Sequence, residues 1–221
     1  MAVLVKICGI NSAEAADAAV RAGADFAGLV FHPKSPRAVG LVNGSRLRDR
    51  LHGKTKVVAL LADAGDDLIH HVVGVVRPDM IQLHGAESPV RVAAIRSRFA
   101  LPVIKAIAVA DAADFSLVPA YEAVADLLLF DAKAPADGPD GARPGGHGAA
   151  FDWQLLRGRN FLRPWLLAGG LTPQNVARAI RSAGAPGVDV SSGVEAAPGV
   201  KSPELIAAFV SAARNPSEEA R

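Results

Sequence analysis

Short β-branched and leucine-rich runs recur along the whole chain, and their number and spacing restrict the fold more than any other feature. They are Val3 to Cys8, Phe26 to Phe31, Lys56 to Leu61, Met80 to Leu83, Pro102 to Ile107, Leu127 to Phe130, Pro164 to Ala168 and Val188 to Val190, about eight in all. Most are continuously apolar, as expected of strands buried on both faces, and they lie too far apart for hairpins. The segments between them have helical spacing and plausible caps. Ser12 opens AEAADAAVRAG, stopped at Gly23, and Thr172-Pro173 opens QNVARAIRSAG, stopped at Gly184. Ser88-Pro89 and Ser202-Pro203 repeat the cap-then-proline start. Strand–helix units at about 25-residue intervals predict an α/β fold, a single (β/α)8 barrel of the TIM type, rather than a doubly wound open sheet. The barrel is expected over residues 1–214, with 215–221 as a polar C-terminal tail.

Composition narrows the function classes. Half of the 221 residues are hydrophobic, which is ample for a core and argues for a soluble globular chain. The charge sum, 24 basic against 22 acidic side chains, gives only +2, which disfavours a nucleic-acid partner. No apolar stretch approaches the 18 or so residues of a membrane span, so no membrane association and a cytoplasmic location are expected. Cys8 is the one cysteine. That excludes an internal disulfide and cysteine-clustered metal sites, and it suits a reducing compartment.

One segment breaks the rhythm. Ala132 to Ala150 has three prolines, five glycines and no large apolar residue. Composition alone leaves it as a floppy insertion or a lid, and its place after the strand ending at Asp131 favours the lid. A stripe from Phe209 to Ala213 in the last helix is a candidate partner surface, although any barrel helix carries such a stripe.

In a barrel of this kind, polar residues at the C-terminal ends of strands converge on one mouth. Cys8 ends the first strand, where a thiol losing its proton near neutrality can serve as base or nucleophile. Asp131 closes the apolar run VADLLLF and is a candidate general acid. Glycine turns follow strands seven and eight, with Gly169 and Gly170 in the first and Ser191, Ser192 and Gly193 in the second. Their backbone amides and small hydroxyls suit a phosphate dianion. After strand two, Arg37 is placed to clamp a carboxylate, with Lys34 as a second anion contact. His84 brings an imidazole to the mouth or is a satisfied core histidine. His70 and His71 lack metal-ligand spacing and receive no role.

Read in order, KICGI, GLVFHPKSPR, IQLHG, LLFDAK, GGHGAAFDW, LAGGLTPQNV and GVDVSSGVE resemble the phosphoribosylanthranilate isomerases of tryptophan biosynthesis, from Lys6 to Glu195. The resemblance implies an Amadori rearrangement of a small phosphorylated substrate, without cofactor or metal, in a monomer or homodimer. By matching motif it implies Cys8 as general base and Asp131 as general acid, Arg37 on the anthranilate carboxylate and Asp189 near the ribose hydroxyls; His84, from its place at the mouth, is a further substrate-binding candidate. The turns at Gly169, Gly170, Ser191, Ser192 and Gly193 would take the phosphate, and Gly145, Gly146 and Gly148 would form the lid. The lid motif departs from the family's usual GGTGKTFDW at His147, Ala149 and Ala150. Two alternatives stand beside this reading: another phosphosugar-isomerising barrel of the histidine-pathway or bifunctional type, and a non-catalytic barrel that binds a phosphate ligand.

Overall fold

The computed structural model describes residues 2–133 and 151–216. Eight parallel strands close into a barrel in chain order. They are β1 Leu4–Cys8, β2 Phe26–Val30, β3 Lys56–Leu61, β4 Met80–Leu83, β5 Val103–Val109, β6 Leu127–Ala132, β7 Trp165–Leu167 and β8 Gly187–Val190. The barrel is sealed where β1 meets β8, with Lys6 opposite Asp189 and Leu4 opposite Gly187. Helices α1 Ala13–Ala22, α2 Leu41–Leu51, α3 Asp66–Val76, α4 Pro89–Phe99, α5 Val118–Glu122, α6 Val176–Ala183 and α7 Pro203–Arg214 lie in the connections. The expected (β/α)8 barrel is therefore the observed one.

Local chemistry sets the helix ends. The Ser12 hydroxyl accepts from the Ala15 amide at 3.1 Å, and Gly23 ends α1 in the left-handed region at φ +78°. Ser88 and Ser202 cap α4 and α7 in the same way, each followed by proline in the first turn. α6 begins later than the Thr172-Pro173 start that its sequence suggests. Asn175 accepts the Thr172 amide at 2.8 Å and donates to the Gly170 carbonyl at 2.9 Å, which folds residues 173–175 into a turn. Three connections are also irregular. A 3-10 turn, Ala112–Leu117, precedes α5, and another, Trp153–Leu156, is the helical element between β6 and β7 among the described residues. A third, Ser192–Val194, leads into an antiparallel hairpin, β9 Glu195–Ala197 and β10 Val200–Lys201, before α7.

Strand alternation sorts the barrel into two apolar layers. Leu4, Phe26, Val58, Met80, Ile104, Leu127, Leu129 and Leu166 fill the inside, while the opposite phase, including Val5, Ile7, Ala27, Leu29 and Phe130, meets the helices. The Phe209 to Ala213 stripe proposed for a partner belongs to this outer core. Phe209 and Ala213 are fully buried, and α7 packs on α1 and β1. Burial of a phenylalanine in this way contributes about 1.5–3 kcal/mol, which is sufficient reason for the stripe. Among the described residues no helix is long and apolar enough to cross a membrane, and no group of His, Cys, Asp and Glu could hold a metal ion.

Candidate active site

The inward phase turns polar toward the C-terminal ends of the strands. Lys6, Gln82, Asp131 and Asp189 are buried polar residues, and Cys8, 4% exposed, packs beside Val30 and Leu60. The apolar inner layer forms a floor beneath them. Lys6 and Cys8 are two residues apart on β1, so both side chains enter the barrel. The Lys6 Nζ lies 2.9 Å from Asp189 Oδ1. Opposite Cys8 in the register is Gly28 of β2. A Cβ on Gly28 would stand 2.9 Å from Cys8 Sγ and 3.1 Å from Lys6 Nζ, so its bare backbone provides the space the two groups share.

Two opposing influences act on the thiol. Burial pushes Cys8 up from its ordinary value, and Lys6 and Lys201 offset this only in part, while Asp189 adds to it. The thiol that the sequence predicts to ionise near neutrality is therefore held protonated more strongly in this chain. Burial works against the charge on Lys6 too, but Asp189 and Cys8 outweigh it and its ammonium is stabilised.

Asp131 lies within β6, one residue short of its end at Ala132 rather than at the end itself. One oxygen accepts the Ala132 amide at 2.9 Å and the other meets His84 Nε2 at 3.1 Å. Gln82 Nε2 lies 2.7 Å from His84 Nδ1, so the ring is held between Gln82 and Asp131. Both ring nitrogens of His84 thus have partners within the protein, and the ring braces the carboxyl. Its own turn is fastened by Glu87, which takes the amides of Asp63 and Gly85 and pairs with buried Lys105 at 2.7 Å.

The PKSPR loop carries Arg37 back over the mouth. Its side chain covers Gly9, whose φ of +78° and lack of Cβ admit it. The expected carboxylate clamp already has a partner in the chain: Nε and Nη2 reach Glu195 at 2.6 and 2.9 Å. Glu195 also holds the buried Lys201 at 2.7 Å. Lys201 donates in turn to the Ser191 carbonyl at 2.8 Å, and the Ser191 hydroxyl donates to the Cys8 carbonyl at 3.2 Å. The β9–β10 hairpin therefore ties the loop after β2 to the loop after β8. Lys34 is exposed and joins neither.

The two glycine turns interlock. Gly169 and Gly170 both have positive φ, +86° and +63°, and a Cβ on Gly169 would meet the Ala132 amide nitrogen at 2.7 Å. A Cβ on Gly193 would run into the Leu171 carbonyl oxygen. Among the described residues, no protein acceptor takes the amides of Gly169, Gly170, Ser192 or Gly193. Ser191 differs, since its hydroxyl is already used on Cys8. The expected lid glycines Gly145, Gly146 and Gly148, and the departures at His147, Ala149 and Ala150, lie outside the described residues.

The sequence reading missed Lys6, Gly28, Glu195 and Lys201. Lys6 carried a usable signal, a charge inside a run otherwise apolar and in phase with Cys8. Glu195 and Lys201 had none, because the hairpin that aims them at Arg37 is a tertiary arrangement.

Fold and site together define a (β/α)8-barrel enzyme with a thiol, a carboxyl held by a histidine and two interlocked glycine turns at one mouth. A profile of N-(5'phosphoribosyl)anthranilate (PRA) isomerases matches residues 5–212. The chain is 53% identical to the N-(5'-phosphoribosyl)anthranilate isomerase of Rhodopseudomonas palustris (strain BisB5) over 218 residues, 99% of each chain. The solved phosphoribosyl anthranilate isomerase of Thermotoga maritima superposes with a TM-score of 0.84 at 36% identity, covering 96% of this chain and 99% of that one. A further isomerase structure, in complex with reduced 1-(o-carboxyphenylamino)-1-deoxyribulose 5-phosphate, gives 0.82 at 34% identity and the same coverage. The chain belongs to the phosphoribosylanthranilate isomerase family.

Proposed function

We propose that the chain converts N-(5-phosphoribosyl)anthranilate to 1-(2-carboxyphenylamino)-1-deoxyribulose 5-phosphate, an Amadori rearrangement in tryptophan biosynthesis. The observation that carries this reading is the convergence of Cys8 and the His84-aligned Asp131 on one mouth, beside two interlocked glycine turns. Asp131 gives its proton to the furanose ring oxygen as the C1′–O bond breaks and the anilino nitrogen lone pair forms the Schiff base. Cys8, as thiolate, then takes the C2′ proton; the electron pair of that C–H bond becomes the C1′–C2′ double bond of an enolamine, which tautomerises to the ketone.

The two substrate anions fix the sugar between acid and base. The amides around Gly169, Gly170, Ser192 and Gly193 take the phosphate. Arg37 meets the anthranilate carboxylate with Nη1 and the outer hydrogen of Nη2, the donors its contact with Glu195 leaves over. Ser191 acts through the backbone of Cys8 rather than on phosphate, and Asp189 reaches the ribose hydroxyls only with the oxygen that Lys6 does not hold. No cofactor is required by these steps.

The test is the loss of substrate fluorescence catalysed by the purified chain. Cys8→Ser and Asp131→Asn should each slow turnover about 10²–10⁴-fold, the usual worth of a positioned acid or base. Wild-type rates in either variant would remove that residue from its role.

A further inference from the structure

Lys6 has no part in the steps above, yet its ammonium lies beside the atom that performs one of them. Its side chain is fully buried in the barrel. Taking an ammonium out of water is expensive, and a buried ion pair returns little net stability compared with apolar side chains of similar volume. Leu4, on the same face of the same strand, shows that the barrel packs without charge. The placement is also specific. Asp189 anchors Nζ at 2.9 Å from one side, and Gly28 leaves open the space that both Nζ and Cys8 Sγ border.

We propose that Lys6 is a positioning residue for the base of this enzyme: a fixed counter-ion that faces Cys8 Sγ across the space Gly28 leaves open and supplies the positive charge against which the thiolate forms. This rests on the reading of Cys8 as the base. Proton transfer breaks the substrate C2′–H bond and forms S–H. Lys6 stays protonated throughout, because Asp189 remains beside it. The ion pair therefore splits its work, the carboxylate holding the ammonium and the ammonium holding the thiolate. The charged groups facing the thiol are Lys6 from β1, Asp189 from β8 and Lys201 from β10, with Arg37 and Glu195 beyond Lys201. β2 and β3 contribute only Gly28, Val30 and Leu60.

The chain has one cysteine and one tyrosine, so the ultraviolet thiolate absorbance of the whole protein, less that of Cys8→Ser, reports Cys8 alone. In Lys6→Met the titration midpoint should rise by about one pH unit or more, a tenfold fall in thiolate at fixed pH. Lys6→Gln, which also removes the charge but keeps a polar end toward Asp189, should raise it as well. An unchanged or lowered midpoint in either variant overturns the proposal. If Lys6→Met fails to fold, Lys6→Gln decides. Activity of Cys8→Ser judges the base assignment separately, so failure of that reading is distinguishable from failure of this one.

Discussion

Replacing Glu195 by glutamine preserves shape and removes the charge on which two cations converge. Arg37 meets Glu195 through two hydrogen bonds and Lys201 meets it at 2.7 Å, with the glutamate side chain 5% exposed. Removing one member of a buried ionic cluster costs about 3–5 kcal/mol. The lower end applies here, because Arg37 keeps some solvent contact and Lys201 can give up its proton. Burial already holds Lys201 below its ordinary value despite Glu195 and Cys8. Urea unfolding at neutral pH should therefore show a loss of about 3 kcal/mol, which for a domain of this size is about 6–12 °C in Tm. The pH dependence has a definite sign. Burial would raise the Glu195 carboxyl, but Arg37 and Lys201 outweigh it and hold it below the usual range. Its stabilisation is thus complete above the unfolded-state value near 4.3 and disappears as the pH falls through the lower folded-state value. The difference between wild type and Glu195→Gln should shrink over that acid interval. Kinetically, a loosened Arg37 should raise KM more than it lowers kcat. A stability loss below about 0.5 kcal/mol at neutral pH, the range of ordinary surface changes, would refute this account of the cluster.

Other outcomes follow from close contacts. Gly28→Ala places a methyl against Cys8 Sγ and Lys6 Nζ, and should lower kcat at a stability cost of about 1–3 kcal/mol by urea denaturation. Gly193→Ala must displace the Leu171 carbonyl, so KM should rise severalfold and the affinity for inorganic phosphate, read by calorimetry, should fall together with it; unchanged values would separate the turns from phosphate. Phe209→Ala should cost about 3–5 kcal/mol in chemical denaturation without changing oligomeric state by light scattering, since the ring lies in the chain's own core.

Particular elements show why some of this was readable from the chain and some was not. Ser12 and Gly23 bound α1 because cap chemistry is local, and the apolar runs locate the strands because a strand buried on both faces admits few polar residues. Asn175 delays α6 through side-chain bonds to Thr172 and Gly170, which compete with the helix in a way that propensity alone does not register. Asp131 and Cys8 stood out because strand ends in this fold face the mouth. The partner of Arg37 did not, since Glu195 is 158 residues away along the chain.

By itself, the sequence determined the eightfold strand–helix alternation, the helix caps and the residue types offered at the mouth, all of which follow from short-range periodicity and local hydrogen bonding. Tertiary structure alone decided what those residues are bonded to. Closing β8 against β1 sets Asp189 beside Lys6, and folding the β9–β10 hairpin over the rim sets Glu195 between Arg37 and Lys201. Burial then makes these long-range pairings strong, because charges removed from water are satisfied only by the neighbours the fold supplies.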